Sequence, residues 1–324
     1  MKRANPLIVS IFITLIVGVL AVFLIVLNGF GLFEKDNETE VPADTPHYIA
    51  ICTDPQTDGW SEIKKGMMNQ ADAYGVGVEF IESGFDAENA DESCIEMAVD
   101  SKVDGIAIYI NDYGLHEEFE YASDSSIPVV TLVNSNSYTG LIKISAATVH
   151  LSNVMSEYIN SSEMEFSDIG IISSGNTNTV RIASFMNEMS PNAKNIEVRS
   201  FTGPYVFDAG ESVKELISEN PDIDLICCMD ATATLGVAQS IVDLNKVNNI
   251  KIVGSGKSEE ILQMIRKGVV TATVAIDYEN VGSQAINELY AANPYFSKDG
   301  KNVPADIFII DKNNVSSFLE DDAE

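Results

Sequence analysis

Basic residues are scarce in this chain of 324 residues, which has 19 Lys or Arg against 49 Asp or Glu. The formal net charge at pH 7 is -30. Nucleic acid and anionic lipid both attract basic surfaces, so this scarcity argues against either as a binding partner. The acidity itself indicates solubility and points to no particular function.

Motifs for enzyme chemistry are also missing. The chain has no Gly-x-Gly-x-x-Gly after its first strand, no phosphate-binding loop and no nucleophile elbow. Its three histidines, His47, His116 and His150, have no partners at triad or metal spacing and are expected to be solvated or packed. We therefore expect no enzymatic activity, no metal and no cofactor.

Cysteines are few, and their spacing forms neither a disulfide framework nor a metal site. The four are Cys52, Cys94, Cys227 and Cys228. Cys52 and the adjacent pair lie in apolar, strand-like segments. Because cysteine behaves as a small apolar residue in cores, the pattern predicts buried free thiols.

Charge is absent from residues 7–33, which are long enough to cross roughly 30 Å of hydrocarbon as a helix. Lys2 and Arg3 precede this run and acidic residues follow it, which predicts a cytoplasmic N-terminus and an extracytoplasmic remainder. A cleaved signal peptide is the alternative, but the run is long for one and no small-x-small site closes it. Residues 34–46 are acidic, contain two prolines and are typical of a solvated tether.

From residue 47 onward, short apolar runs alternate with helical stretches, and the series occurs twice. The runs in the first series are residues 48–52, 76–81, 105–110, 128–132 and 141–144. Those in the second are residues 169–173, 196–201, 223–228, 250–253 and 269–276. Continuous apolar strands separated by helices are typical of parallel sheets covered on both faces. The sequence predicts an α/β protein with two similar, doubly wound parallel-sheet lobes.

Several motifs, in order and at matching spacing, carry a resemblance to a known family. They are Lys64-Lys65-Gly66, residues 127–132, Arg181-Ile182-Ala183-Ser184-Phe185, Met229-Asp230 through Leu235-Gly236, Val253-Gly254 and residues 268–274. Through them, residues 47 to about 310 resemble the sugar-binding branch of the type 1 periplasmic binding proteins, close to ribose-binding protein. The resemblance implies two lobes joined by a three-strand hinge. The implied parts are residues 47–147 plus 277–302, residues 148–276 plus 303–312, and an acidic tail at 313–324.

The resemblance also implies ligand positions, beginning in the loop after the first strand. The family's asparagine falls on Thr57, beside Asp58, and its two stacking aromatics fall on Gly59 and Trp60. Trp60 would offer a flat apolar face to a sugar ring, and the alternative is a half-buried aromatic at a helix start. After residues 127–132, the family's aspartate and arginine become Val133 and Asn134. Asn134 is either a ligand-binding amide or a turn residue.

Arg181 matches the family's ligand-gripping arginine, and its guanidinium carries five fixed donors suited to hydroxyl or carboxylate oxygens. Phe207 falls where the family stacks a second aromatic, with Tyr205 two residues away, and ordinary core packing is the alternative for both. Asp230 is retained, although its place before a helix also fits an N-cap. Three polar family positions become Met229, Gly256 and Ile276.

Each lost polar partner makes the predicted cleft less suited to a pentose, since unsatisfied buried groups cost roughly 1–3 kcal/mol apiece. The ligand expected from the resemblance is a small sugar or sugar-like molecule with fewer hydroxyls. The leading functional hypothesis is an anchored solute-binding protein that delivers this ligand to an ABC-type permease. The alternatives are a receptor subunit that signals to a membrane sensor kinase, and a remnant with an empty cleft.

Overall fold

The fold is taken from a computed structural model, which describes most of the chain beyond residue 44. The described stretches are residues 45–55, 59–82, 90–109, 115–133, 140–145, 148–162, 164–175, 179–203, 205–247, 249–292 and 300–319. The predicted membrane span at 7–33 and all but the last two residues of the predicted tether lie outside them. Among the helices of these stretches, none has the length and apolarity needed to span a bilayer.

The first sheet contains six parallel strands. They are β1 His47–Ile51, β2 Gly77–Ile81, β3 Gly105–Tyr109, β4 Val129–Val133, β5 Ile142–Ser145 and β11 Lys301–Pro304. The spatial order is β11-β5-β4-β3-β1-β2. Its helices are α1 Trp60–Tyr74, α2 Ala90–Asp100, α3 His116–Asp124 and α9 Tyr278–Ala292.

The two faces of this sheet are covered by different helices. In β3, whose five residues are all buried, Ala107 and Tyr109 pack towards α1 and α9. Ile106 and Ile108, which alternate with them, pack towards α2 and α3. Since alternate residues of a strand point to opposite faces, a strand buried on both sides has to be apolar throughout.

The second sheet repeats the arrangement with one antiparallel edge. Its strands are β6 Asp168–Ser174, β7 Asn195–Phe201, β8 Leu225–Cys228, β9 Lys251–Ser255, β10 Ala272–Ile276 and β12 Ile307–Asp311. The order is β12-β10-β9-β8-β6-β7, and β12 runs antiparallel to β10. Its helices are α4 Thr148–Ser161, α5 Thr179–Met189, α6 Val206–Glu219, α7 Ala231–Asp243 and α8 Glu259–Arg266.

The chain passes between the two sheets three times, after β5, after β10 and after β11. Helices α4 and α5 pack on one face of the second sheet, and α6, α7 and α8 pack on the other. The predicted fold class, two doubly wound α/β lobes joined by a three-strand hinge, is confirmed. Topology of this kind places the ligand edge at the carboxyl ends of the strands.

Two boundaries differ from those expected. Val303 and Pro304 pair with Ile144 and Ser145, so the first sheet keeps the chain as far as residue 304 rather than 302. Residues 313–319 were assigned to an acidic tail, yet this segment packs on the second lobe. Val315 is buried there in a 3₁₀ turn, and Phe318 meets Phe308 edge to face at 5.0 Å between ring centroids. These apolar side chains anchor the segment to the second lobe. The polar residues beside them in the sequence are the reason that it was predicted to be a solvated tail.

The thiols of all four cysteines are free and buried, as predicted. Burial raises the pKa of Cys52 to about 12 and also raises the pKa of Cys94, Cys227 and Cys228. Because the thiolate is the reactive form, we expect no labelling of the folded protein by a thiol-specific disulfide reagent at pH 8. Unfolding in denaturant should expose all four thiols, and rapid labelling before unfolding would contradict this burial.

Candidate functional site

A cavity of about 370 Å³ lies where the carboxyl ends of β8, β9 and β10 face the first lobe. Sites for small ligands commonly measure about 300–1,000 Å³. Arg181, Asp230 and Ser255 line the cavity from the second lobe, whereas Glu62 and Tyr278 line it from the helix starts of the first. The cavity therefore sits at the strand edge where open α/β sheets bind ligands, with walls from both lobes.

Arg181, on the first turn of α5, is the central polar side chain of the cavity. Its guanidinium donates from Nη2 to the Ser255 hydroxyl at 2.8 Å, and the Ser152 hydroxyl donates to its backbone carbonyl at 2.9 Å. Ser255 in turn donates to the carbonyl of Cys228 at 3.0 Å. These contacts tie α4, α5, β8 and β9 together and hold the guanidinium at the ends of the strands.

The guanidinium of Arg181 is deeply buried and incompletely paired. The residue is 9% exposed, and its Nε is a buried donor with no hydrogen-bond partner in the described part of the chain. Burial lowers the pKa of Arg181 to about 10, against the opposing effect of the nearby Asp230 charge. The group still carries its charge at pH 7. A buried donor without a partner is costly to a protein, which makes it a candidate ligand contact.

Asp230 caps α7, which was the alternative to a ligand contact that the sequence offered for this residue. Its Oδ1 accepts from the Ala233 amide at 2.8 Å, and its Oδ2 accepts from the Ser174 amide at 2.7 Å. The carboxylate thereby stabilises the start of the helix. It also lines the cavity and lies close enough to Arg181 to influence its pKa.

An ion pair joins the lobes at the edge of the cavity. Lys257, just after β9, places its Nζ 2.7 Å from Oε2 of Glu62 on α1. The same ammonium lies 5.7 Å from the centre of the Phe308 ring. Glu62 and Lys257 also line an outer hollow of about 850 Å³. The pair therefore borders both the cavity and this hollow.

Tyr278 contributes an aromatic ring to the cavity from the first residue of α9. The ring lies over Gly59, where an added Cβ would come within 2.3 Å of its atoms. Gly59 has a φ of 80°, in the left-handed region that glycine adopts without strain. Gly59 thus makes room for a ring that comes from a segment distant in sequence. Four of the cavity residues were not predicted from the sequence: Tyr278, Ser255, Glu62 and Lys257.

Trp60, predicted as the stacking platform, lies in the core instead. It is 1% exposed, its indole N–H donates to Glu82 at 2.6 Å, and its ring meets Phe80 edge to face at 6.2 Å. The Lys64 ammonium and the indole N–H lower the pKa of Glu82. A ring this enclosed offers no face to a ligand in this structure, because the first-lobe core surrounds it.

Two further predicted residues, Tyr205 and Phe207, lie within the described part of the chain and do not line the cavity. Tyr205 and Phe207, at the start of α6, are 70% and 71% exposed, so they belong neither to the core nor to the cavity wall. Thr57, Asp58 and Asn134 lie outside the described residues. Of the predicted set, the structure brings Arg181 and Asp230 together. No cluster of three or more potential metal ligands occurs within the described stretches.

Comparisons with known proteins agree with this architecture. A family model described as "Periplasmic binding protein domain" matches residues 49–293. The chain is similar to the ABC transporter periplasmic-binding protein YphF of Escherichia coli strain K12, with 24% identity over 272 residues, or 79% of this chain and 81% of that protein.

Two solved structures show the same fold. The first is a periplasmic ribose ABC transporter from Conexibacter woesei, with a TM-score of 0.74 and 15% identity, covering 84% of this chain and 93% of that one. The second is the XylFII-LytSN complex, with a TM-score of 0.66 and 21% identity, covering 83% and 98%. Since the family model covers more than half of the chain, the chain belongs to the periplasmic binding protein family and is a binding protein rather than an enzyme.

Proposed function

We propose that the chain is an extracytoplasmic solute-binding protein that captures a small sugar-like ligand between its lobes and delivers it to an ABC-type transporter. One observation carries the proposal. Arg181 is buried at the carboxyl ends of the strands and lines a cavity of about 370 Å³ with walls from both lobes. The names of the relatives support the transport role, since YphF and the Conexibacter woesei protein are both described as ABC transporter components.

Capture would depend on lobe closure. A ligand that contacts Arg181 in the second lobe and Tyr278 in the first stabilises the closed arrangement by its differential affinity for closed over open. The ligand would be less hydroxylated than a pentose, because Leu151, Met229 and Ile276 make part of the wall apolar. The predicted span at residues 7–33 would hold this receptor at the outer face of the membrane.

A second candidate function is a receptor subunit that reports ligand occupancy to a membrane sensor kinase. The similarity to XylFII, whose solved structure is a complex with LytSN, favours keeping this candidate. Both candidates share the ligand cavity and differ in the partner protein. Co-purification of the full-length chain with a permease would support delivery, and co-purification with a kinase would support signalling.

The proposal is tested by a thermal-shift screen of the full-length protein against pentoses, hexoses, deoxy sugars and sugar acids. A ligand at a hundred times its dissociation constant should add about 2.7 kcal/mol to the free energy of unfolding. At least one compound in the panel should therefore raise Tm by several degrees. If the whole panel leaves Tm unchanged, the cleft is empty and the proposed function fails.

Removing the ion pair between the lobes should weaken ligand binding modestly. Lys257→Met keeps the length of the side chain and removes its charge. Because both partners are partly exposed, we expect a loss of roughly 0.5–1 kcal/mol, or a two- to fivefold rise in Kd. Glu62→Gln should give the same change. In the double variant the two effects should not add, and simple additivity in isothermal titration would show that the pair does not couple the lobes.

The ring of Tyr278 should matter more than its hydroxyl. Stacking of an aromatic ring on a ligand face contributes about 0.5–1.5 kcal/mol, so Tyr278→Ala should raise Kd by roughly 2- to 12-fold. Tyr278→Phe keeps the ring over Gly59 and should bind with near wild-type affinity. Titration calorimetry of both variants checks this, and equal losses in the two would assign the contact to the hydroxyl instead.

A further inference from the structure

The charged side chains that line the cavity differ in the partners that compensate their charges. Four charged side chains line it, and three of them already have partners of opposite polarity: Glu62 and Lys257 form an ion pair, and Asp230 accepts from two backbone amides. Arg181 makes its side-chain hydrogen bond to a neutral hydroxyl, that of Ser255. Within the described residues, its charge is offset in part by the nearby Asp230 carboxylate, which also caps α7.

The guanidinium of Arg181 also has unused hydrogen-bonding capacity. Its Nε is a buried donor without a partner in the described part of the chain, and the whole residue is 9% exposed. A ligand hydroxyl would accept one hydrogen bond and bring no negative charge to the guanidinium. A carboxylate would accept from two guanidinium nitrogens in a fork and neutralise the charge, which makes such pairs the stronger ones.

Part of the described cavity wall offers no acceptors to a neutral sugar. Each sugar hydroxyl donates as well as accepts, and a buried hydroxyl needs both partners. The wall beside Arg181 is formed largely by Leu151, Met229, Val274 and Ile276, whose side chains accept no hydrogen bonds of useful strength. The two cavity carboxylates are engaged by Lys257 and by the α7 amides. Apolar side chains therefore form much of the wall, and they offer no acceptor to a sugar hydroxyl.

We infer that the ligand carries a carboxylate, bound by Arg181, and belongs to the class of sugar acids. This inference rests on the proposed function and specifies its ligand class. The negative charge of the whole protein does not oppose it at close range, because physiological salt screens exposed charges beyond about 8 Å. The buried guanidinium is screened far less and decides the local preference.

Matched probe pairs test the inference by isothermal titration of the full-length protein. The acids are D-glucuronate, D-galacturonate, D-gluconate and D-xylonate. The neutral probes are D-glucose, D-galactose, D-xylose and D-glucuronamide, the last of which has the shape of its acid without the charge. At least one acid should bind tenfold or more tightly than its neutral counterpart, a difference of about 1.4 kcal/mol.

Variants assign the preference to one residue. Arg181→Met should abolish the discrimination between acid and neutral probe, and Arg181→Lys should restore part of it. Arg199→Met is the matched control, because it removes the same charge from an ion pair with Glu219 on α6, and it should leave the discrimination unchanged. Unaltered Tm values of the unliganded variants would show that they fold.

The outcomes separate the inference from the proposed function. Binding of neutral sugars as tightly as, or more tightly than, every acid would overturn the inference and leave a sugar receptor standing. Failure of all four acids while a neutral probe binds has the same meaning. Failure of acids and neutral probes alike would overturn the inference together with the proposed function.

Discussion

Arg181→Met should remove the thermal shift that a bound ligand produces, with a rise in Kd of about 100-fold or more. The guanidinium lines the cavity, and each hydrogen bond to a charged group contributes roughly 1.5–3 kcal/mol. Two such bonds to one ligand therefore account for about 3 kcal/mol at least. The measurement is the change in Tm across a ligand titration, followed by calorimetry to obtain Kd.

The same substitution should leave the unliganded protein as stable as the wild type, or more stable. Burial lowers the pKa of Arg181 to about 10, because enclosing the charged guanidinium is unfavourable to the stability of the folded protein. An apolar side chain of similar length removes that cost and the orphan donor together. A large fall in the Tm of the unliganded variant would contradict this and would make Arg181 a structural residue instead.

Gly66→Ala should destabilise the protein by about 3 kcal/mol or more, because α1 and α9 cross with their backbones in contact. A Cβ at Gly66 would lie 1.9 Å from the carbonyl oxygen of Glu279, and one at Gly282 would lie 2.0 Å from that of Ile63. Helix backbones cannot move aside as a flexible side chain can. For a folded part of this size, whose unfolding entropy is about 0.6 kcal/mol per degree, the expected fall in Tm is roughly 5 °C or more.

Gly175→Ala is the control for the helix crossing. A Cβ there would meet its nearest atom at 3.5 Å, an ordinary contact distance. We expect its Tm to stay within about 2 °C of the wild type. Equal melting of the Gly66→Ala and Gly175→Ala variants would mean that α1 and α9 are not in close contact. Because Glu62 and Tyr278 lie on these two helices, Gly66→Ala should also weaken ligand binding.

The helices and strands of both lobes could be predicted because the burial of each is reflected in the pattern of apolar residues along its own sequence. Strand β3 is apolar at successive positions and is buried on both faces, which is a local pattern. Strand β11 has no such run, since Lys301 and Asn302 are exposed at the sheet edge, and its pairing with β5 depends on a partner far along the chain. The packing of Phe318 on Phe308 is likewise a tertiary contact. The polar residues around Phe318 in the sequence do not indicate it.

The candidate site was predictable where the family resemblance supplied a single residue. Arg181 and Asp230 were identified in this way, and both line the cavity. Trp60 was expected at the ligand because a lone tryptophan in a strand-to-helix loop looks available, yet it packs inward with Glu82 and Phe80. Whether an aromatic ring points into a core or into a cleft depends on its neighbours in space.

The rest of the site depends on distant residues meeting. The ring of Tyr278 lies over Gly59 although the two residues are far apart in sequence, so no local pattern relates them. The glycine alone does not indicate that a ring packs on it. The ion pair of Glu62 and Lys257 likewise joins two lobes, and each residue alone looks like an ordinary surface charge. Proximity of this kind follows from the fold, so it appears once the lobes are in place.

The central claim is that a small ligand binds between the lobes, in contact with both. Hydrogen–deuterium exchange of the full-length protein measures this directly, with the sugar or sugar acid that gives the largest thermal shift as the ligand. The account predicts protection on both sides of the cavity, at the starts of α1 and α9 in the first lobe and at residues 229–231 and 255–258 in the second. Protection confined to one lobe, or located away from the cavity, would contradict it.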